Sequence, residues 1–152
     1  MKRYRWVLGC CLLLSIGVLW AEDKSDLRAL QQEAAQNRNL DSYVKVCKLL
    51  YQTEEDPDLL LSYADSIHQL AIESRKPEIF IEYYIWLSEG YFIKGDFEQG
   101  YALKRKAIGL AEKAGLRFTI AQACCDMGYY CNADARYDSA RYYFHKGLVA
   151  GE

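Results

Sequence analysis

The chain has 152 residues, 51% of them hydrophobic, 14% aromatic and 26% charged, a mixture that can bury a core and is too apolar for disorder. Its formal charge of −2 conceals an asymmetry: Lys2, Arg3 and Arg5 precede every acid, and residues 22–152 carry sixteen Lys+Arg against twenty-one Asp+Glu, a net of −5. An acidic body with dispersed cations offers no basic stripe for phosphates, which argues against nucleic-acid binding by this segment.

Residues 1–21 read as a separate unit. A basic start precedes the sixteen-residue apolar run Trp6 to Ala21, and the polar stretch Glu22-Asp23-Lys24 follows. This is the layout of a secretory signal, with Leu19-Trp20-Ala21 as the cleavage site. Sixteen helical residues reach only about 24 Å, short of a hydrocarbon core of about 30 Å, so an uncleaved inner-membrane anchor is the alternative. A lipoprotein box at Val7-Leu8-Gly9-Cys10 is a third reading, with few apolar residues ahead of its cysteine. The expected location is the periplasm or another extracytoplasmic space.

From Ser25 onward the apolar period is helical and turn signals interrupt it regularly. An amphipathic helix is predicted over 26–36, with Leu27, Leu30 and Ala34 on one face, closed by Asn37 to Asn39. The second spans about Leu40 to Thr53 and turns Val44, Cys47 and Leu50 inward. Asp56-Pro57 supplies a cap and a first-turn proline for a third helix that runs to about Arg75 and carries Leu60, Ala64, Ile67 and Ala71. Lys76-Pro77 repeats the device for a fourth helix with Ile81, Tyr84, Leu87 and Tyr91. Gly95-Asp96 ends it, and Asp96 with Gln99 forms a capping-box pattern for the fifth helix, which Gly115 closes. A sixth runs from Phe118 to about Asn132, and a seventh starts near Tyr137. Seven helices on short loops predict an all-α fold of antiparallel neighbours.

Two of these units match at a period of forty. Tyr84, Leu87, Ser88, Tyr91, Gly95-Asp96-Phe97, Gly100 and Ala107 have counterparts in Cys124, Met127, Gly128, Cys131, Ala135-Arg136-Tyr137, Ala140 and Gly147. Self-similarity at 20 to 50 residues marks a stacked-repeat protein. Small residues such as Ser88, Gly100, Ala107, Gly128, Ala140 and Gly147 let helices approach, while Leu87, Tyr91, Met127, Tyr137 and Phe144 are expected to fill the adjoining holes. A leucine at Gly128 would overpack one crossing.

The run Tyr84-x-x-Leu87-Ser88-x-x-Tyr91-x-x-x-Gly95-Asp96-Phe97-x-x-Gly100, followed by Ala107, resembles the tetratricopeptide repeat. Met127-Gly128, Tyr137, Ala140 and Phe144 resemble the next copy, and the Leu40–Thr53 helix with the Ala64 and Ala71 helix an earlier, degenerate one. The repeats divide as 40–76, 77–116 and 117–152, after an N-terminal helix within 22–39. The period is longer than the family's usual thirty-four residues. Lys104 stands where the family has an aromatic, and Gly100 and Gly147 replace alanines. The resemblance implies an α-α superhelix of helical hairpins whose concave face binds a peptide. Carried over by position, the partner-binding groove comprises Glu82, Ile85, Glu89 and Phe92 from one hairpin and Gln122, Cys125, Tyr129 and Asn132 from the next. Such an acidic and aromatic groove suits a basic or amphipathic peptide.

No enzyme signature competes. His68 and His145 are isolated, without metal-ligand spacing, and neither a nucleophile elbow nor a phosphate-cradling glycine loop occurs. Glu54, Glu55, Asp56 and Asp58 cluster at a helix start, where they complement its dipole. Cys124 and Cys131 are roughly 10 Å apart on one predicted helix, beyond disulfide reach, and read as small core residues. A long-range bridge from Cys47 stays open. Neither a metal nor a cofactor is expected. The chain reads as an exported scaffold for protein–protein or protein–peptide contact, with possible self-association through its C-terminal repeat. The alternative is the N-terminal sensory segment of a larger membrane-bound bacterial signalling protein or transcription regulator.

Overall fold

In the computed structural model, residues 26–53 and 56–152 are described; the predicted signal at residues 1–21 and the acids Glu54 and Glu55 lie outside them. The described residues form seven α-helices and no strand. They are α1 (26–37), α2 (Leu40–Thr53), α3 (Pro57–Ser74), α4 (Pro77–Ile93), α5 (Phe97–Ala114), α6 (Arg117–Ala133) and α7 (Tyr137–Gly151). Helices α2 to α7 each pack on the next in chain order, which gives a superhelical ladder of antiparallel hairpins.

Local chemistry sets the helix ends. Asp56 Oδ1 accepts from Leu59 N at 2.9 Å ahead of Pro57, and Asp96 Oδ1 accepts from Gln99 N at 3.2 Å. Asn39 does more than close α1. Its Oδ1 accepts from Ser42 N at 2.9 Å and so caps α2. Arg75, in the left-handed region, ends α3 by donating its N–H to the Ala71 carbonyl.

The forty-residue register is present in the backbone itself. Lys94 N, Gly95 N and Asp96 N donate to the carbonyls of Gly90, Phe92 and Tyr91. Asp134 N, Ala135 N and Arg136 N donate to those of Tyr130, Asn132 and Cys131, each forty residues on. Both turns place their second residue at positive φ, 80° for Gly95 and 56° for Ala135. A Cβ in this region costs about 1–2 kcal/mol that glycine avoids. Ala135→Gly is therefore expected to raise stability by about 0.5–1 kcal/mol net of glycine's unfolded-state entropy, read as a higher melting temperature.

The core divides into two clusters that share α4. Helices α1 to α3 bury Ala34, Val46, Cys47, Leu60 and Ala64 together with Ile79 and Trp86 of α4. Helices α5 to α7 bury Ala107, Ile108, Cys124, Met127 and Ala140 with Ile81 and Phe92 of α4. Flanked on both sides, α4 is apolar around most of its circumference. The hole at Gly128 is filled by Phe144, one of the expected large neighbours, and the hole at Gly100 by Phe92, which is not among them. Cys47, Cys124 and Cys131 are buried free thiols, Cys125 is an exposed one, and burial pushes Cys47 up to about 12.

Candidate functional site

Helices α2 and α4 touch through Tyr51 and Trp86, and α2 and α6 through Tyr51 and Tyr130. Between them lies a cleft of about 500 Å³. Lys48 and Tyr51 line it from α2, Glu82 and Ile85 from α4, and Phe118, Gln122 and Asp126 from α6. Trp86 forms part of the wall. Its Nε1 donates to Glu82 Oε2 at 3.0 Å, and its ring meets that of Tyr51 edge-on at 6.4 Å.

A buried polar network forms the floor. Lys104 of α5 is fully buried and donates to Glu89 Oε1, which is itself only 3% exposed. Asp126 Oδ2 lies 3.8 Å from the same ammonium. The other oxygen of Glu89 accepts from Tyr130 OH at 2.5 Å, and Tyr51 OH stands 3.4 Å from Tyr130 OH. The Tyr130 ring is stacked on Phe92 at 3.8 Å, so the hydroxyl is held in place from behind. Lys104 takes the place of an aromatic in the repeat, and the Glu89 carboxylate makes its burial possible.

The acids of the cleft differ in how far they are compensated. Glu89 is matched by Lys104. Burial raises Glu82 above the ordinary carboxylate range, opposed by the Trp86 hydrogen bond and by Lys48 and Lys104. Burial raises Asp126 as well; Lys104 offsets this and Glu89 adds to it. A raised carboxyl is one whose ionised form lacks solvation, and a cation brought between the two would supply it.

Of the eight groove residues expected from the repeat, Glu82, Ile85, Glu89 and Gln122 converge on this cleft. The other four lie elsewhere. Phe92 is buried beneath Tyr130. Cys125 is exposed beside α7, where a methyl at Gly147 would lie 3.2 Å from its Sγ. Tyr129 is exposed outside the cleft, and Asn132 lines a separate groove with Phe144. Carrying positions forward by forty assumes that both helices face the same space. In fact α4 looks across the cleft to α6, where of the matching positions Gln122 lines the cleft while Cys125 and Tyr129 are exposed outside it. Lys48, Tyr51, Phe118, Asp126 and the Lys104 floor were not anticipated, although opposite charges at Glu89 and Lys104, beside the small residues Ser88 and Gly100, were a readable sign of a buried pair.

Outside the cleft, His68 is stacked on Tyr83 at 4.3 Å, an aromatic packing role. Among the described residues, no group of three or more His, Cys, Asp or Glu is placed to hold a metal ion, and no helix is long and apolar enough to cross a membrane. No protein-family model matches the chain, and comparison with curated proteins and with solved structures gives no significant match.

Proposed function

We propose that this chain is an exported tetratricopeptide-like scaffold that binds a peptide segment in the cleft between α2, α4 and α6 and there takes up a lysine or arginine side chain. The observation that carries the reading is the pair Glu82 and Asp126, two half-buried carboxylates on opposite walls of a cleft of about 500 Å³. Ile85, Trp86 and Phe118 supply apolar wall for the alkyl stem of such a side chain. Lys104 pairs with Glu89 and lies 3.8 Å from Asp126, and Lys48 lines the same cleft, so three acids, Glu82, Glu89 and Asp126, share two cations. Export rests on the basic-then-apolar order of residues 1–21.

The test is retention of the purified chain on an array of random nonapeptides. Lys- and Arg-containing peptides are expected to dominate, and Asp126→Asn is expected to weaken them about tenfold, or about 1.4 kcal/mol. Retention should also fall as pH is lowered. Burial holds Glu82 and Asp126 of the free cleft above their ordinary values, so these two protonate, and the cation loses them as partners, earlier in an acid titration than exposed carboxylates would. Preference for acidic peptides, or retention indifferent to Asp126→Asn, would overturn the reading.

A further inference from the structure

The face by which one hairpin meets the next is covered on α5 and open on α7. On α5 it holds Tyr101, Lys104 and Ile108, none more than 3% exposed, in the hairpin stack on which α6 packs. Forty residues on, the same positions are Arg141, Phe144 and Leu148 of α7, with Phe144 44% and Leu148 64% exposed. Tyr137 continues the stripe, and a shallow groove of about 480 Å³ runs along it beside Asn132 and His145. The surface continues an interface already built within the chain, and its chemistry is that of an interface.

We propose that a second copy of this chain covers it, α7 against α7, antiparallel about a twofold axis. Such an interface must be self-complementary. The open positions Tyr137, Arg141, Phe144 and Leu148 are spaced by four, three and four, the spacing of a two-helix seam, and it reads the same in either direction. With the axis between Tyr142 and Tyr143, Tyr137 meets Leu148 of the second copy, an apolar pair. Arg141 meets Phe144 of the second copy, a guanidinium over an aromatic ring. The charge of Arg141 is already balanced by Asp138 on its own helix, 3.2 Å away, so bringing two copies together opposes no net like charge. This proposal is independent of what the α2–α4–α6 cleft binds.

Sedimentation equilibrium of the full chain, from about 1 to about 100 µM, reads the association. A concentration-dependent dimer is expected, weakened at least about tenfold by Leu148→Glu and unchanged by Ile72→Glu, an exposed apolar position on α3. The register is read by cross-linking with a short bis-maleimide in a chain whose Cys10, Cys11 and Cys125 are serine. Mixed Tyr137→Cys and Leu148→Cys chains are expected to give a cross-linked dimer, and either variant alone very little, because like positions then lie about 16 Å apart along the helix. A monomer at every concentration overturns the proposal. So does a dimer indifferent to Leu148→Glu, or cross-linking as strong in the single variants as in the mixture.

Discussion

Replacing Lys104 with methionine is expected to destabilise the fold by about 3–5 kcal/mol, read as a lowered urea midpoint, although the side-chain volume hardly changes. The Lys104 ammonium is fully buried, and it is the cation that faces both Glu89 and Asp126. Without it Glu89 keeps the Tyr130 hydroxyl and no opposite charge, in a site almost closed to water. The cost arises from that stranded carboxylate more than from the lost attraction, because bringing both ions out of water had already consumed much of the pair's gain. Adding Glu89→Gln should therefore recover a large part of the loss, since a neutral amide still accepts from Tyr130 and needs no cation. The two changes would then be strongly coupled in a double-mutant cycle. A Lys104→Met chain as stable as the parent would show that the Glu89 charge is compensated elsewhere.

That pair also marks where sequence reading stops. Helix ends were legible because a cap acts locally: Asp56 before Pro57 and Asp96 before Gln99 fix their helices with no help from the rest of the fold. The forty-residue period was legible because each turn repeats the same backbone bonds, from Lys94 to Asp96 and again from Asp134 to Arg136. The inward face of α4 was not. With Ile79, Ile81, Trp86 and Phe92 distributed around it, periodicity cannot choose a side, and Glu89 reads as solvated until Lys104 is found against it. Half of the cleft was legible for the same reason. Glu82, Ile85 and Gln122 were expected from the forty-residue match, whereas Lys48 and Tyr51 enter from α2, which lies ahead of that match and offers no register to carry over.

Gly100→Leu is expected to cost about 3 kcal/mol and Gly128→Leu only about 1 kcal/mol, although each glycine sits at the helix crossing of its own hairpin. A Cβ at Gly100 would stand 2.6 Å from two ring carbons of Phe92, and one at Gly128 would stand 2.7 Å from two of Phe144. The initial clash is thus nearly the same, and what differs is the freedom of the ring to yield. Phe92 is 4% exposed, stacked on Tyr130 and met edge-on by Tyr101 at 5.3 Å, so displacing it breaks the aromatic packing behind the cleft floor. Phe144 is 44% exposed in the single chain and, at concentrations where that chain is a monomer, can rotate toward solvent. The repeat itself shows the exchange. Where Gly100 becomes Ala140, Phe92 becomes Asn132; where Ser88 becomes Gly128, Lys104 becomes Phe144. Hole and knob have traded helices between the two copies, the ring coming from the first helix in one and from the second in the other. Phe92→Leu should accordingly rescue part of the Gly100→Leu loss in urea unfolding, by giving the new side chain a thinner neighbour. Equal losses at the two glycines would mean that the Phe92 stack yields as readily as an exposed ring, and the rigid floor assigned to the cleft would go with it.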